Sequence, residues 1–174
     1  MGQARDRSFG GTVLMEERLG PGWYEIVDVQ PDAGAVQFAA QWAARYPLVL
    51  WISTPAKIDD WSIVAPLLQG HCTSALLQIE KVSVAMAVIR DVQTCSDCVV
   101  LDDLATLLPD HPSATRIAPD VRRGIAGWTP QIPILVVNQW RRPAPPGGAQ
   151  WRAALKKRWL VSQEGIRDDK ENCS

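Results

Sequence analysis

Two carboxylates, Asp102 and Asp103, stand side by side directly after the apolar run Cys98-Val99-Val100-Leu101. Such a run reads as a buried parallel strand that delivers Asp102 to its C-terminal end, where open α/β sheets keep their ligand sites. A carboxylate there can hold a cation, cap a helix or hydrogen-bond locally. Glu25 and Asp28 are the other acids that could reach strand ends, without a fixed ligand spacing. Cys95-x-x-Cys98, with His71-Cys72 upstream, has half the ligand set of a zinc or redox site. The second ligand pair is missing, and Cys98 opens the apolar run, so packing is expected and no metal. His71 and His111 lie in polar turns with no Ser, Cys or Asp partner by spacing, which leaves nucleophilic catalysis unsupported.

The remaining chemistry is basic. No acidic residue occurs between Pro133 and Gln163, whereas Arg141, Arg142, Arg152, Lys156, Lys157 and Arg158 lie there with Trp140, Trp151 and Trp159. Cations neutralise phosphates and tryptophan stacks on unpaired bases, a combination suited to single-stranded nucleic acid. On a helix, Trp151, Leu155 and Trp159 would share one face and pack on a sheet, with the basic residues turned away. Trp140, after a strand end and before a loop, is the tryptophan expected to be exposed.

These residues need strands and helices to position them. Gly20-Pro21-Gly22 launches a strand over 23–29, rich in aromatic and β-branched residues. Pro31-Asp32 starts a helix over 33–46, with Asp32 as N-cap and Pro47 beyond its end. Further strands are expected at 48–53, 76–79, 98–102 and 133–138, and further helices at 61–68, 83–92 and, weakly, 121–128. Strands alternating with helices imply βαβ units, and hence an α/β fold with a mainly parallel sheet and helices on both faces. The 174 residues divide into an N-terminal segment (1–19), a core (20–163) and a polar, frayed tail (164–174). Between them, Pro143-Ala144-Pro145-Pro146-Gly147-Gly148 forms a loop of the kind that carries function or disorder.

Composition sets outer bounds. At 47% hydrophobic and 21% charged, the chain is ordinary for a soluble globular domain. No apolar run approaches the roughly 20 residues that cross a bilayer, and the first residues lack a signal-peptide core, so no membrane and a cytoplasmic location are expected. A net charge of -1 exerts no global pull on nucleic acid, so any such pull must be local.

In this order the elements resemble the core of the RecA recombinase family. Cys98–Asp102, continuing through Leu107-Leu108-Pro109, looks like that family's Walker B strand, with Asp102 and Asp103 as its remnant. Val137-Asn138-Gln139 resembles the strand that ends in Asn-Gln and opens the DNA-binding loop, which often closes on two glycines such as Gly147-Gly148. The resemblance implies a RecA-like sheet. It also implies a DNA-binding set of Asn138, Gln139, Trp140, Arg141, Arg142, Arg152, Lys156, Lys157 and Arg158. The phosphate loop is where the chain departs from the family. The segment Asp28-Val29-Gln30-Pro31-Asp32-Ala33-Gly34-Ala35-Val36 has one glycine of the right type, no lysine and no Ser or Thr. No carboxylate stands near Thr54-Pro55, where the family's catalytic glutamate is expected. The expectation is therefore a non-enzyme without cofactor. Asp102, with no metal to hold, is expected to cap a helix or bond locally.

Functionally, the resemblance points to a non-catalytic RecA-like protein of the ImuA type. It would act in DNA recombination, repair or damage tolerance by binding a protein partner (a recombinase, a polymerase complex or itself) and, in addition, single-stranded DNA. An alternative is an inhibitor of cell-division filament assembly resembling SulA, suggested by the run Leu50-Trp51-Ile52-Ser53-Thr54-Pro55. A structural assembly protein is a third reading, because RecA-like domains stack head to tail.

Overall fold

The computed structural model describes residues 18–104, 128–139 and 148–169. The N-terminal residues 1–17, the expected helix at 121–128 apart from Trp128, and Trp140, Arg141 and Arg142 lie outside them.

The described chain runs β1 (Gly22–Asp28), α1 (Ala35–Ala43), β2 (Leu48–Ser53), a 3-10 helix (Pro55–Asp60), α2 (Trp61–Leu68) and β3 (Thr73–Gln78). It continues through α3 (Val82–Asp91), β4 (Cys98–Asp102), β5 (Pro133–Gln139), α4 (Gly148–Ala154), β6 (Leu155–Ser162) and β7 (Gly165–Asp168). One seven-stranded sheet results, in the order β3-β2-β4-β5-β1-β6-β7. All neighbours pair in parallel except β6 and β7, which form an antiparallel hairpin at one edge. The expected strands at 23–29, 48–53, 98–102 and 133–138 are all present and interior. Their runs carry almost no alternation because both faces are covered.

Each face has its own apolar core. On one, Ala39 and Trp42 of α1 and Val64 and Leu68 of α2 pack on Tyr24, Ile26, Trp51, Val100 and Leu135. On the other, Val82, Ala85, Met86 and Ile89 of α3 and Trp151 of α4 pack on Trp23, Ile52, Val99, Leu101, Ile134 and Val136.

Three expectations are corrected. Residues 155–162 form a strand rather than the end of a helix, so Trp151 and Trp159 sit in opposite cores instead of on one helical face. The sequence Leu-Lys-Lys-Arg-Trp-Leu-Val-Ser tolerates either state, and the open edge of β1 decides for strand by offering it a parallel ladder. Residues 165–168 are likewise no frayed tail, since they pair back on β6. Finally, Asp32 does not cap α1. It adopts a left-handed conformation (φ 55°), and Gly34 (φ 113°) takes the cap position without a side-chain cap bond.

Candidate functional site at the strand ends

Because the interior strands are parallel, Asp28, Ser53, Asp102 and Gln139 all finish at the same edge of the sheet. Asp28 turns back over the β1–α1 connection, and its Oδ1 accepts the Ala35 backbone N–H at 2.9 Å. That N–H is the first of α1, one of the unpaired donors that make a helix N-terminus attractive to anions. The chain's own carboxylate therefore sits where a phosphate-binding helix would present its donors. Burial pushes the Asp28 carboxyl up to about 6, against the pull of the Ala35 N–H and of Lys57, while Asp32 and Asp60 push it further up.

The connection after β2 folds across the same edge. Thr54 N–H donates to the Asp102 carbonyl at 3.0 Å, which directs Pro55–Asp60 over the end of β4. Within that turn Lys57 lies 3.9 Å from Asp60, and both face Asp28 and Asp102. Thr54 itself is buried at the position expected to lack a carboxylate.

Asp102 does not cap a helix. Both carboxylate oxygens are buried without a donor from a neighbouring group, and the side chain beside them is the Asp60 carboxyl. The physical reason is its register, since Asp102 lies between Ser53 and Val137, and the Ser53 hydroxyl donates to the Thr54 carbonyl instead. Burial pushes its carboxyl well above the usual range, followed by the nearby charges of Asp60 and Asp103. Asp103 is also buried. Among the described residues no group of His, Cys, Asp or Glu is arranged to hold a metal ion.

Glu25 lies on the other face of the sheet, which rules out a shared site of Glu25, Asp28 and Asp102. Its neighbours along β1 alternate: Tyr24 and Ile26 enter the α1–α2 core, while Trp23 enters the α3–α4 core. Fully buried, Glu25 accepts from Asn138 Nδ2 at 2.5 Å, Trp151 Nε1 at 2.8 Å and Arg158 Nε. Burial pushes its carboxyl up, and Arg158, Trp151 and Asn138 oppose that. Arg158 also reaches Asp169 at 3.5 Å.

This network absorbs two members of the expected DNA-binding set. Asn138 and Arg158 are buried, spent on Glu25, and out of reach of a phosphate or base. Arg152 is ion-paired with Asp169 at 3.6 Å and donates to its carbonyl. Lys157 pairs with Asp168 at 3.1 Å and lies over the Trp159 ring. Gln139 is half-buried at the strand end, and Lys156 is exposed beside Gly22. The sequence reading missed the role of Glu25. Its signal was a lone acid in the middle of the apolar run Trp23–Val27, which can be tolerated inside a sheet only with donors around it.

No protein-family model matches the chain, and no curated protein matches it. Among solved structures, it is similar to a prototypical ATPase from the type III secretion system of pathogenic bacteria, with a TM-score of 0.58 and 8% identity. The match covers 89% of this chain and 60% of that one. At that identity the likeness establishes the fold alone: an α/β fold like that of RecA-like ATPases, with a mainly parallel sheet and helices on both faces.

Proposed function

We propose that this chain is a non-catalytic RecA-like domain of the ImuA type that acts in DNA recombination, repair or damage tolerance through a protein partner, with single-stranded DNA as a further ligand. The observation that carries this reading is the Asp28–Ala35 hydrogen bond. A carboxylate on the leading N–H of α1 repels a nucleotide's phosphates and occupies the donor they would need. Lys57 and Asp60 add a second obstruction over the same strand ends.

The sheet's edges support a protein partner. β7 is a four-residue antiparallel strand carrying Arg167 and Asp168, features that block edge pairing. β3 is six residues without a charge, exposed along much of its length, with Leu77 exposed. An extended partner segment with alternating apolar residues can add to such an edge by main-chain hydrogen bonds.

The burial of Asn138 and Arg158 favours, as a second reading, an inhibitor of filament assembly that uses protein contacts alone. Titration with Mg²⁺-ATP tests the first element of the proposal: the melting temperature should not move, and a saturable rise or measurable turnover refutes it. Single-stranded DNA binding across a salt series then separates the two readings. A steep salt slope supports the recombination class, and no binding at low salt supports the inhibitor class.

A further inference from the structure

Asp102 ends β4 near the middle of the sheet with both carboxylate oxygens sealed from solvent, without a donor and beside the Asp60 carboxyl. An ionised carboxylate in that position lacks both water and donors, the most costly state a buried acid can have. Its surroundings make ionisation harder still. Asp60 approaches from the 3-10 turn and Asp103 follows in the chain, against the single positive charge of Lys57. Asp28 and Asp32 add negative charge around the same lysine and Asp60. The covering turn Pro55–Asp60 is held lightly, with none of its residues buried. Bonds that anchor it include Thr54 N–H to the Asp102 carbonyl at 3.0 Å, Lys57 N–H to the Thr54 carbonyl at 2.9 Å and the Ser62 hydroxyl to the Asp59 carbonyl at 2.8 Å.

We propose that Asp102 is carried as the neutral acid in the folded protein, and that Pro55–Asp60 is a proton-dependent cover over the strand ends, closed while Asp102 keeps its proton. Ionising Asp102 places a new negative charge beside Asp60, and the covering turn, none of whose residues is buried, is the element that yields. Opening lets water reach the carboxylate and releases Lys57 from the site. The sign follows from burial raising the acid: the closed form binds a proton that the open form gives up. Closure is therefore complete below the ordinary carboxylate range and weakens as pH rises, lost as pH passes the raised value in the closed form. This inference does not depend on the function proposed above.

Two measurements test it. Carbon-13 NMR of the unmodified protein should show the Asp102 carboxyl still protonated above the ordinary carboxylate range; titration within that range overturns the proposal. Amide exchange of residues 56–60, corrected for intrinsic rates, should show opening that rises by up to about tenfold per pH unit above pH 5. In Asp102→Asn, which keeps the shape and removes the titration, that part of the pH dependence should be absent. Asp28 titrates equally in both proteins, so the difference between them isolates Asp102. Parallel pH dependence in the variant and the unmodified chain overturns the proposal. If the asparagine variant fails to fold, Asp60→Asn serves instead. It removes a neighbouring negative charge that holds the Asp102 carboxyl up, so the rise in opening should level off at lower pH and be smaller in total, or the cover is not what Asp102 controls.

Discussion

Replacing Glu25 by alanine strips the middle of the sheet of the acceptor for three donors at once. Among the described residues Arg158 keeps Asp169, at 3.5 Å, and the buried Asn138 and Trp151 donors lose the acceptor they share. Breaking a buried ion pair by removing one partner costs about 3–5 kcal/mol, because the remaining charge has neither partner nor water. In a domain of this size each kcal/mol moves the melting temperature by about 2–4 °C, so Glu25→Ala should melt about 6–20 °C lower. Arg158→Met should cost a similar amount. The Glu25→Ala/Arg158→Met double variant should cost less than the sum of the two, because no unpaired charge remains at that position. Urea unfolding with an unchanged m-value gives the three free energies, and the cycle should show a coupling of at least about 2 kcal/mol. Raising NaCl to molar concentration should change the coupling little, since solvent ions screen buried pairs weakly. Additive losses within about 0.5 kcal/mol would refute the reasoning, as would Glu25→Ala costing under about 1 kcal/mol.

Asp28, pushed up to about 6 by burial, holds its proton more tightly folded than unfolded. Its contribution to stability is present below the usual carboxylate range and is lost as pH rises through about 6. Asp28→Asn, which can still accept the Ala35 N–H, should flatten that part of a urea-midpoint profile; an unaltered profile would discount the burial. Gly34→Ala should cost about 1–2 kcal/mol from backbone strain alone, because its φ is 113° and the nearest atom to an added Cβ is 3.7 Å away. A cost near zero in thermal melts would mean the turn relaxes. If single-stranded DNA binds, Arg141→Ala and Arg142→Ala should flatten the salt slope by about 0.7 per lost phosphate contact. Arg158→Met should alter stability and leave that slope unchanged, and a reduced slope in this variant would place Arg158 on the DNA.

The strand ends and the basic segment differ in how much of them could be read from sequence. The run before Asp102 is apolar on every residue, and only a strand covered on both faces needs that pattern. Strand, position and the terminal carboxylate were therefore local information. The same holds for the missing glycines and lysine of residues 28–36, whose absence is visible residue by residue. What surrounds Asp102 was not visible. That its oxygens have no donor depends on a turn that begins two residues after β2 and crosses a neighbouring strand, and no periodicity encodes that.

The basic segment misled because its local pattern is ambiguous. Trp151, Leu155 and Trp159 are spaced for a helix face, while the branched and aromatic content of 155–162 equally suits a strand. The vacant edge of β1 settled it, and with it the fate of Arg158. Next to β1, that side chain meets Glu25, 133 residues earlier in the chain, and becomes an internal counter-ion. The sequence by itself therefore determined the α/β class and the interior strands, which follow from short-range pattern. Tertiary structure alone decided which charges are buried, which face each acid points to and which edge of the sheet stays open. Those depend on which strands become neighbours, and neighbours are chosen by the packing of the whole sheet.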